Sequence, residues 1–229
     1  MTLTATGADD PTSEQLTATP DQPPLTRLGR AAVRGEAVAS ARRLLGAQLV
    51  RDDGHGRRVA RIVETEAYGG PQDRASHARA GRTPRTAVMF GSPGRAYVYL
   101  VYGMHHCLNV VCGSEGEAAA VLIRAVEPVA GIEHMRHSRG RARDEVMRLA
   151  AGPARTCQAL AVDRDLDGVD LLRDDRLWLA EPAPDAPSFD VLSGPRIGVD
   201  YAGPEWAARA WRFGIAGSPA LSLPFGARD

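Results

Sequence analysis

The chain has 229 residues, 28 of them basic and 28 acidic, for a formal charge of zero; 44% are apolar. That size and composition fit one soluble domain with its own core. They exclude a uniformly basic nucleic-acid binder, and no apolar run approaches the roughly 18 residues that cross a bilayer.

Residues 1–25 are rich in Thr, Asp and Pro, lack apolar periodicity, and read as a disordered tail before a single domain over 26–229. Val38, Ala41, Leu44 and Leu45 recur at helical spacing and predict a helix over 36–48. A strand follows at 47–51, then a turn at Asp53-Gly-His-Gly56 and a second strand over 58–68. Strict alternation on that strand puts Ile62, Glu64, Glu66 and Tyr68 on one face. An arginine-rich loop spans 72–93. A hairpin comes next, with arms at 95–102 and 107–112 and its tip near Tyr102-Gly103. Residues 118–125 read as a central strand, 131–139 and 153–161 as helices, and 177–181, 196–199 and 211–215 as strands. Strands outnumber helices and are joined mostly by turns. The expected class is therefore α+β: a mixed or antiparallel sheet, surrounding helices and a protruding β-hairpin.

The charge is unevenly spread. Arg79, Arg82, Arg85 and Arg95 occur between residues 76 and 99 without an acidic neighbour, and Arg136, Arg139, Arg141 and Arg143 form a second run. One such face binds phosphates even when the total cancels. Every basic residue is arginine, so no side-chain amine is available to form a Schiff base with a sugar aldehyde. The three cysteines, Cys107, Cys112 and Cys157, are an odd set with no Cys-x-x-Cys, as in a cytosolic protein with reduced thiols. The N-terminus shows no secretory pattern.

Glu64-Thr-Glu-Ala-Tyr68 places two carboxylates and a ring on one strand face. A carboxylate there is ordinarily exposed or ion-paired; beside an aromatic plane it can also aim water at a glycosylic carbon and stabilise an oxocarbenium-like transition state. Glu66 is the candidate, with Glu64 its rival. The two are spaced roughly 6.5–7 Å apart along one wall, so they do not flank a bond from opposite sides. Tyr97 and Tyr99 share a face of the hairpin and Tyr102 faces away. Tyr102 at the tip suits a wedge between base pairs, and Tyr99 with Tyr68 suits a stacking slot for an extruded base. Arg124 and Asn109 interrupt otherwise apolar strands, and a buried charge at Arg124 needs a partner such as Glu66. Asp163-Arg-Asp-Leu-Asp-Gly168 begins like a calcium loop but has Asp174 where a bidentate Glu belongs. The His105-His-Cys107 and His134/His137 pairs lack the spacing of a zinc site.

The motifs Ile62-Val-Glu-Thr-Glu-Ala-Tyr68, Ser76-His77, Gly81-Arg-Thr-Pro-Arg85, Tyr97-Val-Tyr-Leu-Val-Tyr-Gly-Met104, Cys107-Leu-Asn109, Val121-Leu-Ile-Arg124, Gly152-Pro153 and Arg196-Ile-Gly198 resemble the alkyladenine (3-methyladenine) DNA glycosylases of bacterial type. The resemblance implies a monomeric, metal-free and cofactor-free enzyme acting on damaged purines in double-stranded DNA, in the cytoplasm at the nucleoid, without membrane association. It implies Glu66 as general base, with Arg124 and the Ile197 carbonyl helping to hold the water. Tyr68 and His77 sandwich the flipped purine against Tyr99, Asn109 refuses the exocyclic amine of guanine, and Tyr102 fills the gap in the duplex. Arg82, Arg85 and Arg139 contact phosphates. Two alternatives stand beside this: a damaged-DNA-binding module without catalysis, and a glycoside hydrolase using Glu64 and Glu66.

Overall fold

The computed structural model describes residues 25–141 and 143–226, so the expected tail lies, Leu25 apart, outside the described residues. Its centre is β2 (Arg57–Tyr68), which forms an antiparallel hairpin with β1 (Gln48–Asp52) through the Asp53–Gly56 turn. Two short helices, α1 (Arg30–Val33) and α2 (Ala37–Arg43), precede the hairpin. The helix expected to reach residue 48 stops early because Gly46 takes φ +85° and gives its N–H to the Ile62 carbonyl, drawing the chain into the sheet.

Strands β3 (Ala96–Val101) and β4 (His105–Cys112) form the second hairpin, and β5 (Ala119–Ala130) lies between β4 and β2. At the hairpin tip Tyr102 and Gly103 both take positive φ, 51° and 70°. Type I′ turns need this and few non-glycine residues adopt it. Helices α3 (Ile132–Arg139) and α4 (Pro153–Ala159) follow, then β6 (Leu177–Ala180), β7 (Val191–Gly194), α5 (Pro204–Ala207) and β8 (Arg212–Ile215). The strand order is β3-β4-β5-β2-β1-β6, with β8 on the second half of β2 and β7 on β8; every pairing is antiparallel. The strand expected at 196–199 is displaced to β7. Pro195 offers no N–H to a ladder and Gly198 turns the chain at φ +73°, so 196–199 is irregular.

The two sheet faces have separate tasks. Ala96, Val98, Leu108, Val110, Val121 and Ile123 join Ala41, Leu44, Leu149, Cys157 and Leu160 in the main core. Tyr97, Val111 and Ala120 point the other way, to Ala78 and Met89 of the 72–93 loop, which is built from short 3-10 turns. On β2, Thr65 donates to the Ala41 carbonyl on the core side, and Glu64, Glu66 and Tyr68 face the loop side. Ile62 does not share their face as expected: it packs in the main core, beyond a register shift between Ile62 and Glu64. No helix among the described residues is long and apolar enough to cross a membrane.

Candidate active site

Two irregularities bracket Glu64 in the β2–β5 ladder. Val63 is skipped on β2 and Arg124 is skipped on β5, since Ile62 pairs with Val126, Glu64 with Ala125 and Thr65 with Ile123. Bulges bend a strand and re-aim its side chains; here Arg124 lies between both carboxylates. Its Nε donates to Glu64 (3.1 Å) and its NH1 to Glu66 (3.2 Å), with both carboxylates at 0% exposure. Burial alone would lower the guanidinium, but Glu66 and Glu64 outweigh it and raise Arg124 above its ordinary range. Lone buried charges cost several kcal/mol each, which is why Arg212 also stands 3.4 Å from Glu64 and balances two acids with two arginines.

The two glutamates have different surroundings. Glu64 accepts from Arg124 and from both the backbone N–H (2.6 Å) and hydroxyl (2.8 Å) of Ser222, and is ion-paired with Arg212. Its oxygens are consumed by the fold. Glu66 accepts from Arg124, from the Ile197 N–H (2.8 Å) and from the Tyr68 hydroxyl (2.8 Å). The Tyr68 contact faces a cavity.

That cavity is lined by Tyr68, Ser76, His77, Tyr99, Asn109 and Tyr201 among others. Four residues expected to grip a base thus come together from β2, the 72–93 loop, β3 and β4. Asn109 donates to the Tyr97 carbonyl (3.1 Å), which fixes its amide. His77 Nδ1 lies 3.0 Å from the Tyr97 hydroxyl, and its ring meets Tyr99 edge-on at 4.6 Å. Burial first, then the nearby Arg85 charge, lowers His77 to about 4, so the imidazole is neutral at neutral pH. Burial and the neighbouring Cys107 thiol push the Tyr99 phenol up, leaving it an uncharged face.

Outside the cavity, Tyr102 is 87% exposed at the hairpin tip with Met104 beside it. Arg82 is exposed on the loop. Arg85 is exposed too and leans over the Tyr99 ring (5.4 Å). Arg139 is occupied by the Leu149 carbonyl (2.8 Å) and Asp144, with an 8% exposed side chain. Sequence reasoning missed Asp73, Ser222 and Tyr201. Tyr201 lies four residues after Ile197 and donates to the Ala75 carbonyl (2.9 Å), and nothing in its local pattern marks it. Among the described residues no group of three or more His, Cys, Asp or Glu is placed to hold a metal ion.

The family model of methylpurine-DNA glycosylases (MPG) matches residues 31–219. The chain belongs to this family. It is a DNA glycosylase of base excision repair, a hydrolase of N-glycosylic bonds. A protein of Anaeromyxobacter dehalogenans named putative 3-methyladenine DNA glycosylase is 56% identical over 185 residues, covering 80% of each chain. The DNA-3-methyladenine glycosylase of Homo sapiens is 46% identical over 209 residues, 87% of this chain and 69% of that protein. A putative 3-methyladenine DNA glycosylase of Myxococcus xanthus is 49% identical over 186 residues, 81% of this chain and 88% of its own. Membership of this glycosylase family displaces both the non-catalytic module and the two-carboxylate glycoside hydrolase, and the saturated contacts of Glu64 agree with it.

Proposed function

We propose that the protein is a monofunctional glycosylase that flips a damaged purine (3-methyladenine, 7-methylguanine, hypoxanthine or ethenoadenine) from double-stranded DNA and replaces it with water. Tyr102 enters the stack as the base leaves. The base then lies against Tyr99, with Tyr68 and His77 on its other side and Asn109 opposing the amine of guanine. Glu66 takes a proton from water as the oxygen bonds to the sugar C1′, and the electron pair of the broken C1′–N bond leaves with the purine. Before it takes that proton, the negative charge of Glu66 also stabilises the oxocarbenium-like sugar. Arg124 pairs with Glu66 and, with the Ile197 carbonyl, helps to hold the water. Selectivity comes partly from the lesion, since a weakly paired base is cheaper to extrude. Arg82, Arg85 and Arg139 are assigned to backbone phosphates, Arg82 with the most freedom to reach them. The protein acts as a monomer, in the cytoplasm, wherever the genome is.

One observation carries this reading: a fully buried carboxylate is hydrogen-bonded to a tyrosine that lines a cavity walled by two further rings and an amide. The test is excision from duplexes each carrying one defined lesion. Release of hypoxanthine or 3-methyladenine with an abasic product is expected. Full inactivity across the panel, with binding intact, would refute the substrate assignment.

A further inference from the structure

Asp73 and Arg196 form an ion pair in which both side chains are 0% exposed. Neither touches the cavity, yet together they hold four parts of the site. Arg196 NH1 donates to one Asp73 oxygen (2.5 Å) and to the Ala67 carbonyl (2.9 Å) on β2, between Glu66 and Tyr68. NH2 donates to the other Asp73 oxygen (3.0 Å) and to the Trp206 carbonyl (3.4 Å). The guanidinium lies 4.9 Å from the Tyr68 ring and 5.0 Å from the Trp211 ring, a cation between two aromatic faces. Asp73 in turn accepts from the Gly69 and Ala75 N–H groups (3.1 and 2.9 Å), and its carbonyl accepts from Ser76. Those bonds fix the turn that delivers His77. The residue after Arg196 is Ile197, whose N–H reaches Glu66.

We infer that Asp73 and Arg196 are positioning residues of the reaction: they hold the Ile197 amide on Glu66 and keep the Tyr68 ring and the His77 turn in register with it. A planar five-donor fork between two rings suits this task, and lysine cannot reproduce it. The inference rests on Glu66 as the water-activating base.

The test compares wild type, Arg196→Lys, Asp73→Asn and Glu66→Gln. Single-turnover excision is measured on a duplex with one hypoxanthine, affinity on a duplex with a tetrahydrofuran abasic analogue, and folding by thermal melting. Misplacing a reacting group by about 1 Å costs about 10²-fold. Arg196→Lys and Asp73→Asn are expected to stay folded at the assay temperature, bind the analogue within threefold of wild type, and excise about 10²-fold more slowly. The acidic limb of their pH–rate profile moves to higher pH, because a carboxylate that loses an amide donor is more readily protonated. Excision within threefold of wild type overturns the inference. So does a loss that matches the loss of binding with an unmoved pH profile, and so does failure of both variants to fold, which assigns the pair to the fold alone. Wild-type excision by Glu66→Gln sinks the base assignment itself. An inactive Glu66→Gln beside two fully active pair variants sinks only the positioning claim.

Discussion

Replacing Glu66 by glutamine changes one charge and almost no volume. The amide retains an oxygen for Arg124 and the Ile197 N–H, and the Tyr68 hydroxyl can turn to accept from the new NH₂. Arg124 loses one carboxylate and keeps Glu64 at 3.1 Å, with Ser222 nearby. The stability loss therefore falls short of the ~3–5 kcal/mol seen when a buried pair is stripped of one member. About 1–2 kcal/mol is expected, a fall in Tm of roughly 2–8 °C for a chain this long. Removing a general base costs ~10²–10⁴ in rate, or about 2.7–5.4 kcal/mol at 1.36 kcal/mol per decade. The two effects separate cleanly, because a protein weakened by about 1–2 kcal/mol stays folded within a typical margin of 5–15 kcal/mol. Single-turnover excision with enzyme in excess reads the rate, and fluorescence anisotropy on the same duplex reads binding. Binding near wild type with excision lost is the expected outcome. A folded variant that excises within tenfold of wild type would falsify the role of Glu66.

Tyr102→Ala leaves the melting temperature within about 1 °C, since an exposed turn residue packs on little, yet lowers affinity for an intact lesion duplex; unchanged affinity and rate would remove it as the wedge. Borohydride added during turnover traps no enzyme–DNA adduct, because the chain has no lysine; a trapped adduct would overturn water as the nucleophile. His77 has a folded-state value of about 4 and an unfolded one near 6.5. Between these the unfolded chain binds more protons, so stability falls as pH drops from about 6.5 towards 4. His77→Gln flattens that part of the curve in urea unfolding, and an identical slope in the variant would refute the assignment. Asn109→Ala, which removes the amide proposed to oppose the guanine amine, raises release of normal guanine; no measurable guanine release would discharge Asn109 from that role.

Period-two alternation was enough to put Glu64, Glu66 and Tyr68 on one face, because neighbouring residues on a strand have no other choice of side. The same logic separated Tyr97 and Tyr99 from the tip residue Tyr102. Asn109 and Arg124 were legible as polar interruptions of apolar strands. Alternation failed at Ile62, because the bulge at Val63 restarts it and bulges have no reliable local signature. It also could not separate Glu64 from Glu66: their strand positions are equivalent, and only the partners that reach them differ.

Local sequence by itself determined most of the strands, the hairpin and the residue types of the cavity, since backbone pleat and turn chemistry act over a few neighbours. Tertiary structure alone decided which carboxylate is bonded to the cavity-lining Tyr68 and which is enclosed by Ser222. Ser222 closes Glu64 from 158 residues away, the Ile197 amide reaches Glu66 from 131, and Arg196 meets Asp73 across 123. No periodicity connects positions so distant. Their meeting is set by how the chain packs back onto β2, where each buried charge has to find its partner.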